Sequence, residues 1–348
     1  MLENCDNVHV LNNILLDCTV SAFDRKTYYS HFGCGSLITN TATTSLLSIR
    51  DGLNIGTDDA YLLHLIPSGL IGALQQKLFP ISECSKSLKL DFKLESNTLA
   101  TIGGGTFSLS SCRIKLCLIE LSDMLTDAVR RIYDGIYIIP YDSWAQYSYS
   151  ISENSSGGTI NISCGLKYLK GIVACFRAND LLVAGQRSLS TRTKMGLIEY
   201  RWSINGKAYP SDSPVYLVTD NELVGAGTGP ADDARGFMQV MKLFNNVPST
   251  HATCSFSLRE FNSSGLVVRA GTGNADVDAL GMGAFLAAVN LELPNVEEEY
   301  RTTTDSTSNN VRFIYRLNTN IGQNIYCDFY LWYSGEAVIE NGVVTANF

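Results

Sequence analysis

The stretch Ile198 to Asn205 constrains this chain more than any other. Ile198, Tyr200, Trp202 and Ile204 alternate with Glu199, Arg201, Ser203 and Asn205, and because successive strand side chains point to opposite faces, the pattern predicts a strand with one dry face. The strand runs into Asn205-Gly206, a dipeptide that accepts the positive φ of a tight hairpin turn. Pro210 and Pro214 then withhold backbone donors and stop regular pairing. In a chain of 348 residues, longer than one core usually grows, a strong strand near the midpoint marks the start of a second domain.

Similar patterns recur on both sides. Leu88, Leu90, Phe92 and Leu94 alternate with charged residues, and Ile114, Leu116 and Leu118 share one face of a strand over Ser111–Leu121. The run Gly135–Ser152 is aromatic and extended, with a break expected at Pro140, and Leu166–Arg177 is apolar almost throughout, as expected of a strand in mid-sheet. After the midpoint, strands are expected at Ala252–Phe261, Leu266–Ala270, Ala284–Leu293, Val311–Leu317 and Asn324–Tyr333, with Val338–Phe348 closing the chain. Helical spacing appears only in short pieces: Pro67–Leu78, Met124–Ile132 behind a Ser122-Asp123 cap, and a helix from about Ala231 to Phe244. The fold class is therefore all-β, with antiparallel sandwiches and a few short helices in the connections. The expected division is an N-terminal arm at 1–35, a first sandwich at 36–180, a linker at 181–195 and a second sandwich at 196–348.

Composition narrows the function. Charged residues make up only 17%, which suggests that surface is buried against neighbouring molecules. A net charge of -8 without a basic run disfavours direct nucleic-acid binding, which needs clustered lysine and arginine. The ten cysteines are scattered without a Cys-x-x-Cys pair, and Cys117, Cys175 and Cys327 sit in apolar runs; reduced core thiols are the expected state. No secretory signal or membrane span is expected from the sequence.

No catalytic, cofactor or metal site emerges. His9, His31, His64 and His251 are far apart, so no two histidines have metal-ligand spacing, and no Cys-x-x-Cys pair occurs. The glycine clusters at 103–105, 225–229 and 271–283 fit neither a phosphate loop nor a dinucleotide fingerprint. Cys34 and Ser36 lie in a turn without a neighbouring base, Glu297, Glu298 and Glu299 read as a solvated loop, and Asp123 and Asp127 as acidic residues of a helix's first turns.

Gly196–Val215 resembles the strand that opens the second roll of double jelly-roll major capsid proteins, the lineage of adenovirus-like, virophage and Polinton-like viruses and tailless icosahedral phages. Leu166–Arg177 resembles the strand that ends the first roll, and Ile325–Phe348 the terminal strands of the second. The resemblance implies two tandem eight-stranded jelly rolls and a structural protein, not an enzyme, needing no cofactor or metal. It implies pseudo-hexagonal homotrimers tiling an icosahedral virion shell assembled in the host cytoplasm or nucleus. The partners would be itself, neighbouring capsomers, minor capsid and penton proteins, and, in part of the lineage, an internal membrane. The alternative reading is a tandem β-sandwich binding module, such as a carbohydrate-binding or viral spike protein.

Overall fold

The computed structural model describes residues 3–20, 66–72, 75, 77–93, 114, 116–166, 168–178, 192, 194, 196–211, 213–217, 234–244, 254, 256, 258, 261, 284–291, 311–317 and 324–347. Among them are three short helices and two antiparallel sheets. The helices are α1 (Val8–Thr19), α2 (Asp123–Tyr133) and α3 (Arg235–Leu243). The strands are β1 (Ile136–Ile151), β2 (Gly157–Ile162), β3 (Tyr168–Ala178), β4 (Leu197–Ile204), β5 (Lys207–Tyr209), β6 (Val215–Tyr216), β7 (Ala287–Asn290), β8 (Val311–Leu317), β9 (Ile325–Glu340) and β10 (Val343–Asn347).

Sheet A has the order β1-β9-β3-β7, with β10 added beside the end of β9. Sheet B has the order β2-β8-β4-β5, with β6 also on β4. This order has a specific meaning. If β5 and β6 together fill the fifth of eight positions, the first strand pairs with the last, the second with the seventh, the third with the sixth and the fourth with the fifth. Folding an antiparallel ribbon back on itself in this way generates a jelly roll. The sequence places a linker at 181–195, yet in both sheets strands from before and after that segment interleave: β3 lies against β9, and β2 against β8. The described residues thus build one roll from both halves of the chain. The strand expected at 266–270 and the whole segment 36–65 lie outside the described residues.

The core is the layer between the sheets. Trp202 of β4 meets Phe313 of β8 at 4.8 Å and Phe329 of β9 at 5.9 Å, while Phe176 of β3 lies 5.8 Å from Phe313. Tyr200, Trp202 and Ile204 are buried as the alternation predicts, but the dry face is completed by Leu197 instead of Ile198. A register shift between Leu197 and Glu199 moves Ile198 out of the pattern. The hairpin turn is as expected, with φ of 50° at Asn205 and 81° at Gly206.

Other expectations change. Pro140 does not interrupt β1, because β1 is the edge strand of sheet A and an edge position tolerates a missing donor. The described parts of Pro67–Leu78, 88–93 and 116–121 are neither helix nor strand, and Leu258 and Phe261 have helical backbone within a segment expected to be extended. The β9 strand continues past Tyr333 to Glu340, and a second positive-φ pair, Asn341-Gly342, turns it into β10. Residues read as part of an arm instead form α1, whose Val10, Leu11, Ile14 and Cys18 are at most 1% exposed. Their spacing of one, three and four is helical, but the intervening Asn12-Asn13 and the β-branched Val8 and Val10 mask it.

Candidate assembly surfaces

The outer faces of the two sheets differ chemically, and each presents a different candidate surface. On sheet B, the outward residues of β8 are Arg312, Ile314 and Arg316, all exposed, alternating with a buried row of Val311, Phe313, Tyr315 and Leu317. Register places Ile314 opposite Arg201 and Arg316 opposite Glu199. The Arg316 guanidinium grips the Glu199 carboxylate through Nε at 2.9 Å and Nη2 at 3.1 Å, while Arg201 donates to the carbonyls of Pro210 and Ser211 at 3.2 and 2.9 Å. Beyond β4 in the same row stands Tyr216, with the Arg235 guanidinium 5.4 Å above its ring. A shallow groove of about 430 Å3 continues past it, lined by Pro210, Pro214, Met238 and Lys242 among others. In an acidic protein the described outward rows of β4 and β8 carry three arginines, Arg201, Arg312 and Arg316, against one glutamate, Glu199. Sequence inspection could not find this grouping, because Arg201 and the pair on β8 are more than a hundred residues apart and only pairing brings them together.

The middle of sheet A is dry on both faces. Residues 327 to 331 of β9 are all at most 1% exposed, so the outward side chains Asp328 and Tyr330 are covered as fully as the inward Phe329. Part of the cover is α1. Its N-cap residue Asn7 donates from Nδ2 to Asp328 Oδ1 at 3.2 Å and accepts from the Tyr330 hydroxyl at 3.2 Å, and Asp17 near its other end pairs with Arg192 Nη2 at 2.8 Å. Asp328 also accepts from Gln146 and Ser148 at 2.9 and 2.7 Å and forms an ion pair with Arg177. Burial is the largest influence on the Arg177 charge and works against it, but the Asp328 carboxylate and its other neighbours together outweigh it, leaving the guanidinium pKa raised. Cys175, paired in register with Asp328, is pushed up to about 12 by burial, with the carboxylate acting in the same direction. A second polar group, Asp142, takes Lys170 Nζ at 2.8 Å and the Ser334 hydroxyl at 2.5 Å. The α3 helix reaches this side from β7: Leu243 packs where a β-carbon on Gly171 would fall 2.2 Å from its Cδ1, and Phe244 stacks on Trp144.

A third surface is apolar and uncovered. Leu116, Leu118, Ile119, Leu121, Met124 and Ile132 are all exposed, Leu118 at 74% and Met124 at 83%. The α2 helix contributes no buried residue despite its amphipathic sequence. Asp123 and Asp127, one turn apart on it, are exposed, and its second half is held by Arg130 Nη2 on Glu83 at 2.9 Å.

Of the residues weighed for chemistry, His31, His64, His251, Cys34, Ser36, Glu297, Glu298, Glu299 and the three glycine clusters lie outside the described residues. Among the described residues no three His, Cys, Asp or Glu side chains gather as a metal site, and no helix is long and apolar enough to cross a membrane. The described cysteines are thiols, with Cys18, Cys164, Cys175 and Cys327 buried; Cys117 is exposed, against expectation, because its segment is not a strand.

No protein-family model matches this chain, and no curated protein does. Solved structures are similar to it at low identity. The PBCV-1 virus capsid matches with a TM-score of 0.38 and 8% identity over 64% of this chain and 54% of that one. The Faustovirus major capsid protein matches with 0.36 and 8% over 63% and 36% respectively. The mavirus major capsid protein matches with 0.30 and 7% over 62% and 42%. The match therefore spans about half or less of each of those proteins. These similar structures are double jelly-roll major capsid proteins of viruses.

Proposed function

We propose that this chain is a viral major capsid protein that forms homotrimers of pseudo-hexagonal outline and tiles an icosahedral shell. The observation that carries the proposal is the uncovered apolar run from Leu116 to Ile132 beside a jelly roll that has its own buried core. A run of this kind marks a surface that another molecule covers. The three segments that resemble capsid strands, 166–177, 196–215 and 325–348, supply β3, β4 with β5 and β6, and β9 with β10. Of these, β3, β4 and β9 are interior strands of their sheets, so the likeness falls on structural residues. In this role the protein performs no catalysis; its partners are further copies of itself and the minor and penton proteins of the shell, and its place is the virion.

The test is the mass of the purified full chain by light scattering across a concentration series, followed by electron microscopy of any large species. Trimers and hexagonally packed sheets or shells are expected. A chain that stays monomeric at every concentration overturns the proposal.

A further inference from the structure

We infer that, in the assembled state proposed above, the first turns of α2 in one copy dock on the outer face of sheet B in the next copy. This rests on the capsid reading and adds the identity of the two contacting elements. Two observations on different parts of the molecule carry it. The α2 helix is amphipathic yet contributes no buried residue to its own chain, and its first turns carry Asp123 and Asp127 one turn apart beside Met124, which is 83% exposed. Among the described residues, the outward rows of β4 and β8 carry the reverse charge, Arg201, Arg312 and Arg316 against Glu199, around the exposed Ile314 and Tyr216.

The first turns of α2 thus combine apolar side chains with acidic ones, and the outer face of sheet B combines apolar side chains with an excess of arginine. In a chain with a net charge of -8, a face rich in arginine attracts acidic segments of a second copy. Charge of this kind selects partner and orientation more than it adds affinity, while the apolar side chains provide the area to be covered. The contact joins two different surfaces, so it is heterologous, and repetition about an axis closes it into a ring. The second half of α2 stays with its own chain through Arg130 and Glu83, which leaves the first turns free to project.

The experiment uses the full chain and sedimentation velocity over a concentration series, with circular dichroism to check folding. Arg312→Glu with Arg316→Glu, and separately Asp123→Lys with Asp127→Lys, are each expected to raise the concentration of half-association about tenfold or more. The chain carrying all four changes is expected to recover association to within about threefold of the parent. If a reversal disturbs folding, Arg312→Gln with Arg316→Gln and Asp123→Asn with Asp127→Asn decide the same question, each with the same direction and a smaller loss. Unchanged association in either reversed chain, or no recovery in the fourfold variant, overturns the contact while leaving the capsid reading standing. A parent chain that is monomeric throughout overturns both.

Discussion

Sheet A and sheet B of the same roll solve the problem of the outer face in opposite ways. Sheet B alternates along β8, dry inside and wet outside, and its outward charges stay in solvent. The middle of sheet A is buried on both sides, so the carboxylates there are paired within the protein: Asp328 by Arg177, Asn7, Gln146 and Ser148, and Asp142 by Lys170 and Ser334. The same residue types therefore have different energetic weight on the two sheets. An ion pair in water is screened and contributes little, whereas removing one partner of a buried pair strands a charge in a low-dielectric layer.

This contrast can be broken by substitution. The largest effect belongs to the layer the two sheets share: Trp202→Asp puts an unpaired charge between Phe313 and Phe329 and is expected to abolish soluble folded protein. Wild-type expression and near-ultraviolet dichroism in that variant would show the strand to be misplaced. Next comes Asp328→Ala, expected to cost about 3–5 kcal/mol in denaturant unfolding by leaving Arg177 buried and unpaired. Replacing both partners, Asp328→Leu with Arg177→Met, is expected to recover most of that loss, and a double variant no better than the single one would argue against a coupled pair.

Alkali provides a milder test of sheet A. Burial keeps the Cys175 and Cys5 thiols protonated up to about 12 in the folded chain, whereas a solvated thiol ionises near about 8.5. The folded state thus holds more protons than the unfolded state between those values, so this stabilisation is complete below about pH 8.5 and falls as the pH rises toward about 12. Cys175→Ala should flatten that decline in thermal midpoint; an unchanged slope would exclude the thiol as its source. The smallest effect is expected on the wet face, where Arg316→Ala removes the pair with Glu199 and should leave the unfolding midpoint of the monomer where it was, to be read from the same denaturant curves.

Much of this architecture is visible in the alternation of the strands. Val311–Leu317 matches β8 at both ends, and the continuous apolar run at 166–177 marks β3 as a strand with neighbours on both sides. Local chemistry explains the agreement, since turn dipeptides and period-two patterns act over a few residues. Where the alternation misled, a non-local contact was responsible. Pro140 stays in β1 because that strand is at an edge, Ile198 leaves the dry face because of a bulge against β8, and α1 is a helix because sheet A offers it a surface to cover. No window along the chain contains any of those partners.

The sequence by itself determined the chemistry of the strands, their turns and the low charge that points to covered surface. Only the tertiary structure decided which strands pair, that β1 to β3 and β4 to β9 share one jelly roll, and that arginines more than a hundred residues apart meet on one face. The reason is physical: alternation specifies that a face must be dry, and many partners satisfy that demand equally, whereas pairing and burial of particular charges depend on contacts that exist only after the chain has closed on itself.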